Sequence, residues 1–226
     1  MMTNVGLVYT STTPELIELV EQEVKKQLGE DVHMLTYTDP SILAEVRENG
    51  YVTCNAASRL ITMFLAAAQD GADAVLNICS SVGEVADCAQ DVARFIGVPI
   101  VRIDEEMCRD AVRKGSRIGV LATLPTTLEP TKNTIRRVAR EMGRQVTLVD
   151  GLVEAFGLDQ EQFKNLLVGK ALEICADVDV ILLCQGSMAY CEQLITDACK
   201  KPAVSSPRYG AIALKEALRN KGALSE

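Results

Sequence analysis

The chain has 226 residues, 48% of them hydrophobic and 24% charged, and a formal net charge of −8. That is enough apolar material for one large or two small α/β domains. The acidic balance, without any basic patch carrying interleaved aromatics, argues against a nucleic-acid partner or an anionic membrane surface, and leaves an anionic small ligand open.

Taken in chain order, Val5 to Tyr9 reads as a short strand, and Thr10-Ser11-Thr12-Thr13-Pro14-Glu15 follows it. Thr12 and Glu15 have capping-box spacing, with Pro14 in the first turn. Leu16, Ile17, Leu19, Val20, Val24 and Leu28 mark an amphipathic helix that stops at Gly29. Residues 32–38 alternate as a strand, Asp39-Pro40-Ser41 breaks it, and helices are expected to about Asn49 and over about 52–69. Ala74 to Ile78 is an apolar run that delivers Cys79, followed by Ser80-Ser81 and a helix over about 84–96. Residues 98–103 form another strand, and Asp104 is placed to cap a helix ending near Gly115.

The pattern then restarts. A strand over 117–122 leads through Thr123-Leu124-Pro125-Thr126-Thr127 into a helix reaching about Met142. A strand over 145–149, a helix over 160–175 and a strand over 178–183 follow, the last leading to Cys184-Gln185-Gly186-Ser187. A helix over about 189–199, a short strand at 202–204 and a C-terminal helix capped by Ser205-Ser206-Pro207 complete the chain. Such β-α alternation predicts parallel sheets with right-handed crossovers.

Gly6-Leu7-Val8-Tyr9-Thr10-Ser11 parallels Gly119-Val120-Leu121-Ala122-Thr123-Leu124, with Pro125 as one inserted residue before Thr126-Thr127. The expected fold is therefore α/β, two pseudo-symmetric four-stranded parallel-sheet domains with an interdomain cleft. The first comprises 1–104 plus 205–226 with the C-terminal helix, and the second 105–204. Ligands of open α/β sheets bind beyond the carboxyl ends of the strands. That rule gathers Thr10, Ser11, Thr12, Cys79, Ser80, Ser81, Thr123, Thr126, Thr127, Cys184, Gln185, Gly186 and Ser187 as lining residues. Hydroxyls and free helix N–H groups suit a small carboxylate; the same Ser and Thr also serve as plain helix caps.

The eight cysteines form no CxxC pair, and His33 is the only histidine. A metal site and a dithiol redox role are therefore not expected, and most of the thiols read as small core hydrophobes. His33 falls in a predicted strand and reads as structural. No apolar run approaches the ~20 residues that span a bilayer. Met1-Met2-Thr3-Asn4 opens no basic-then-apolar leader, so a cytoplasmic location without membrane association is expected.

In Asn77-Ile78-Cys79-Ser80-Ser81, in 118–130 and in Leu183-Cys184-Gln185-Gly186-Ser187-Met188, the sequence resembles the aspartate/glutamate/hydantoin racemase superfamily, over essentially the whole chain. The resemblance implies a cofactor-independent racemase or isomerase of a small carboxylate, amino-acid or hydantoin-like. It implies two pseudo-symmetric domains, each supplying a cysteine at the end of its third strand, and leaves a homo-oligomer open. Inverting a carbon needs a base on one face and an acid on the other. A thiolate near a helix N-terminus supplies one of them, and the carboxylate clamp stabilises the developing charge. Cys79 matches the first position. At the second, a gapless match puts Cys184 on the family's glycine and Gln185 on its cysteine, so either residue could answer Cys79. One thiol alone would suit a decarboxylase or a cis-trans isomerase of a small diacid. A non-catalytic carboxylate-binding module is the reading from a different class.

Overall fold

The structure, a computed structural model, describes residues 3–155 and 159–224, so the reading of Met1 and Met2 lies outside the described residues. The elements run β1 (Asn4–Tyr9), α1 (Pro14–Leu28), β2 (His33–Thr38), α2 (Pro40–Asn49), α3 (Cys54–Gln69), β3 (Ala74–Ile78), α4 (Gly83–Cys88), α5 (Gln90–Ile96), β4 (Ile100–Arg102), α6 (Glu105–Lys114), β5 (Arg117–Ala122), α7 (Pro125–Glu141), β6 (Thr147–Leu152), α8 (Gln160–Ile174), β7 (Val180–Leu183), α9 (Glu192–Cys199), β8 (Ala203–Ser205) and α10 (Ser206–Lys221). The strands form two four-stranded sheets, ordered β2-β1-β3-β4 and β6-β5-β7-β8, and every pairing is parallel. One compact unit comprises 1–103 and 207–226, the other 104–206. Asp104, Ser205 and Ser206 thus fall in the second unit, whereas the sequence reading put them in the first.

In the first unit alternate residues of β1 feed opposite layers, as the period of a strand requires. Val5, Leu7 and Tyr9 pack with α1 and with Ala211, Leu214 and Leu218 of α10. Val8 packs with α2, α3 and the α4–α5 segment, around Phe64 and Leu60. In the second unit Leu121, Ile181 and Leu183 face α8 and α9, while α6 and α7 pack against β5, β6, β7 and β8. The repeat extends to packing detail. A Cβ on Gly6 would lie 2.8 Å from Ala67 Cβ of α3, and one on Gly119 2.9 Å from Ile174 Cδ1 of α8. Both central strands carry glycine where a helix crosses at close range; at Gly6 the facing atom is a Cβ that cannot turn aside, at Gly119 the end of an isoleucine side chain that can.

Four local expectations are corrected. The N-cap of α1 is Thr13 rather than Thr12: its hydroxyl accepts from the Leu16 N–H at 3.2 Å, because Pro14 already occupies the first helical position. Asp104 stands at the N-cap position of α6 but makes no capping hydrogen bond with its side chain. The helix expected over 84–96 is two helices meeting at Ala89. There the Gln90 amide donates to the carbonyls of Ala86 and Ile100 (2.8 and 2.9 Å), a side-chain intrusion of the kind that interrupts helices. β6 lies at Thr147–Leu152 rather than 145–149. Asp150-Gly151 has the composition of a turn, yet Gly151 pairs with Leu121 and Leu152 with Ala122, and the ladder with β5 prevails over local preference.

Candidate functional site

In the first unit the carboxyl ends of β1 and β3 lie side by side, with Val8 paired to Asn77 and Tyr9 to Ile78. Cys79 follows directly in extended conformation (φ −164°, ψ 116°) and heads a 3-10 turn, Ser80–Val82, that runs into α4. Cys79 is half-buried, whereas Ser80 and Ser81 are buried. The Asn77 amide donates to the Cys79 carbonyl at 3.2 Å and so fixes the backbone of the turn. At the end of β1, Thr10 is fully buried and Ser11 and Thr12 half-buried. The Thr10 hydroxyl, the Tyr9 hydroxyl and the Asn77 amide oxygen are all buried without a hydrogen-bond partner. Buried polar atoms left unpaired are uncommon and costly; Thr10 and Asn77 carry two of them at the ends of adjacent strands, while Tyr9 belongs to the layer of α1 and α10.

Beneath the Cys79 turn lies Arg102, 5% exposed, its guanidinium 2.6 Å from Asp87. Gly83, the first residue of α4, lies against that guanidinium. The group beneath the turn is thus an arginine–carboxylate ion pair, held against the start of α4. Motif spacing does not point to Arg102 or to the polar role of Asn77. The available signal was the presence of a charge and an amide inside strands expected to be buried.

In the second unit the register decides which residue corresponds to Cys79. Gly6 matches Gly119 in the repeat, so Val8 matches Leu121. Val8 pairs with Asn77 and Leu121 with Leu183; the next residues, Ile78 and Cys184, therefore correspond, and so do Cys79 and Gln185. The local backbone agrees: Gln185 is extended (φ −102°, ψ 137°) and heads the 3-10 turn Gly186–Cys191, as Cys79 heads its own. Cys184 continues the ladder, its N–H donating to the Leu121 carbonyl at 2.9 Å. Its neighbour Leu183 faces α8 and α9, so Cys184 turns to the other side, beneath Thr131 of α7, and is fully buried.

Burial pushes the Cys184 thiol up from its ordinary value of 9.0 to about 12; the Thr131 hydroxyl draws it down, and Asp104 and Asp150 add to the rise. The consequence for stability follows from proton linkage. Above about pH 9 the unfolded chain releases this proton while the folded chain retains it, so stability falls as pH rises toward 12. Chemical access should differ in the same way. At pH 8 iodoacetamide is expected to label Cys79 in the folded protein and Cys184 only after denaturation, as read by peptide mass spectrometry. Equal labelling of the two would contradict the burial.

Gln185 is occupied within its own unit. With its oxygen turned to the β5–α7 loop, the carboxamide accepts from Thr123 N–H (3.1 Å), Leu124 N–H (3.2 Å) and the Thr123 hydroxyl (2.9 Å). The reversed amide meets only Thr123 N–H, at 3.3 Å, and donates to the hydroxyl at 2.9 Å. The first orientation is assigned because it gives two backbone donors an acceptor. Thr127 is buried, and its N–H donates to the Leu124 carbonyl at 3.0 Å. The Thr126 hydroxyl is buried without a partner. Gly186 is half-buried and Ser187 exposed. Cys191 lies in the α8–α9 core, and His33 is exposed on β2, at the edge of its sheet. Among the described residues no three His, Cys, Asp or Glu side chains are grouped as a metal site needs, and no helix is long and apolar enough to cross a membrane.

No curated protein compared by sequence matches significantly. Solved structures share the fold. Allantoin racemase from Klebsiella pneumoniae is 17% identical with a TM-score of 0.68, covering 97% of this chain and 89% of that one. Glutamate racemase from Bacillus anthracis is 16% identical with a TM-score of 0.72, covering 99% and 84%. Arylmalonate decarboxylase is 14% identical with a TM-score of 0.57, covering 99% and 94%. The family model described as Asp/Glu/hydantoin racemase matches residues 5–214, and the chain, with its paired four-stranded parallel sheets and a thiol at the mouth of the first, belongs to that family.

Proposed function

We propose that the protein is a cofactor-independent enzyme of the racemase and isomerase class, moving a proton at the carbon beside the carboxylate of a small substrate, with Cys79 as the reacting thiol. The observation that carries this reading is the position of Cys79: half-buried, directly beyond the central strands, at the head of a turn underlain by Arg102. Its thiolate takes the α-proton, and the electron pair of the broken C–H bond is held as an enolate by donors around the carboxylate. A proton from solvent delivered to the opposite face of the carbon completes inversion, whereas return from the Cys79 thiol regenerates the starting enantiomer and gives exchange alone. The unpaired Thr10 hydroxyl, with Ser11 and Thr12 beside it, suits the carboxylate.

The test is to incubate the protein with single enantiomers of amino acids and of 5-substituted hydantoins in D2O. Deuterium is expected at the α-carbon of at least one of them. A folded protein that exchanges none would sink the racemase reading.

One observation favours a second reading. Gln185, not a cysteine, stands at the position equivalent to Cys79, and Cys184 is a core residue. A single thiol suits a one-sided reaction: a carboxyl group leaves as CO2, its bonding pair stays on the α-carbon, and the Cys79 thiol supplies the proton. Aryl malonates are the substrates to try, with CO2 release as the readout.

A further inference from the structure

We infer that Cys175 and Cys199 are a redox-modifiable pair, which a small disulfide such as oxidised glutathione converts to a disulfide bond tying the end of α8 to the end of α9. The pair lies within the second unit and stands apart from the reaction at Cys79. No CxxC spacing joins these two thiols; the topology brings them together. Cys175 is the residue at which α8 stops, and Cys199 is the last residue of α9. The strands that follow, β7 and β8, are parallel neighbours, with Ile181 beside Ala203. Helices that share one face of a sheet and lead into adjacent parallel strands end next to each other. α8 and α9 do share a face: Cys199 belongs to their common apolar layer, and Cys175 packs against it.

The contact is direct. The Cys199 thiol donates to the Cys175 sulfur, and the Cys175 thiol donates to the Leu172 carbonyl at 3.2 Å. The backbone fixes both ends. Lys200, left-handed at φ 52°, stops α9 directly after Cys199, its N–H donating to the Thr196 carbonyl at 2.9 Å. Cys175 opens the 3-10 turn Cys175–Asp177. The two thiols differ in access as an attacking and a resolving thiol do. Cys175 is half-buried, whereas Cys199 is 8% exposed and burial pushes its thiol up to about 11, so Cys175 meets the oxidant first. Its thiolate attacks one sulfur of the small disulfide, whose S–S bond breaks, and one glutathione leaves and takes up a proton. Cys199 then gives up its proton and attacks the Cys175 sulfur, and the second glutathione leaves as a thiol. Two protein thiols are oxidised and one small disulfide is reduced to two thiols. Cys184 and Cys191 are fully buried in this unit and do not compete.

The test incubates the reduced full-length protein with oxidised glutathione, alkylates the remaining thiols and cuts the chain at glutamate without reduction. Cleavage after Glu173 and Glu192 places Cys175 and Cys199 on separate peptides. The expected product is those peptides joined through the two cysteines, located by tandem mass spectrometry. Cys199→Ser should lose the link and retain glutathione on Cys175, the arrested first step. Cys175→Ser should lose the link and leave Cys199 unmodified. Oxidised wild type should unfold roughly 5–10 °C above the reduced protein, as closing a loop of this length implies, with no such rise in either variant. A wild type whose exposed Cys54 and Cys88 carry glutathione while Cys175 and Cys199 stay unlinked would overturn the inference, and needs no variant to be observed. A link from Cys175 to Cys184 or Cys191 would overturn it as well, as would a Cys175–Cys199 link that leaves the unfolding midpoint unmoved.

Discussion

Replacing Cys79 by serine should lower α-proton exchange by roughly 10²–10⁴-fold, the usual contribution of a positioned acid or base, which is about 3–5 kcal/mol of barrier. Serine keeps the size and the local hydrogen bonding of the residue, and Cys79 is only half-buried, so the unfolding midpoint should stay nearly where it was. Cys184→Ala makes the informative contrast. It removes a fully buried sulfur beneath Thr131 and should cost about 1 kcal/mol of stability as a small cavity. Exchange should remain within a few-fold of wild type. Measured side by side, the pair separates the thiol that reacts from the thiol that fills space. Full activity in Cys79→Ser would end the proposed mechanism. A loss in Cys184→Ala as deep as in Cys79→Ser would restore the two-thiol scheme and require the second unit to repack.

Gly83→Ala is expected to destabilise the first unit by about 1–3 kcal/mol, the cost of overpacking a filled interior. A Cβ there would lie 2.3 Å from Arg102 Nη2, 2.5 Å from Cζ and 2.7 Å from Nε. A flexible side chain can often yield, but this one has little room: it is 4% exposed and paired with Asp87 at 2.6 Å. Either the guanidinium moves away from that pairing, or α4 moves and carries the Cys79 turn with it. Denaturant unfolding measures the first effect, and the exchange rate of the folded variant measures the second. Arg102→Met provides the internal control, because it removes the planar group that the new methyl strikes. The cost of Gly83→Ala should therefore be smaller in the Arg102→Met background, with a coupling above ~0.5 kcal/mol. Additive effects would mean that the close approach of Gly83 to Arg102 has no energetic weight.

The class of fold was legible because it depends on period and punctuation. Apolar runs ending in Thr, Ser or Cys, helical patterns stopped by Gly29, Gly50 and Gly97, and a second copy of the pattern beginning at Arg117 lead to parallel sheets and to little else. The same local signals placed Cys79 at a strand end. They failed where a non-local partner outweighs a local preference. Asp150-Gly151 has turn chemistry and is a strand, since β5 supplies the ladder. The helix expected over 84–96 divides because the Gln90 amide reaches the carbonyl of Ile100 in a different element.

Position 184 is the clearest case. In the sequence, Cys184 and Gln185 are adjacent, and each could answer Cys79. Side chains alternate along a strand, so a shift of one residue exchanges one helix layer for the other, and no local signal specifies the register to one residue. The pairing of Leu121 with Leu183 specifies it: Cys184 goes into the core with Thr131, and Gln185 goes to the loop. The sequence by itself determined the doubled parallel fold and the thiol at the mouth of the first sheet, because those follow from hydrophobic period and turn residues along the chain. Only the tertiary structure decided that the second sheet presents an amide where the first presents a thiol, and that a buried arginine underlies that thiol. Both depend on which residues of separate strands stand side by side.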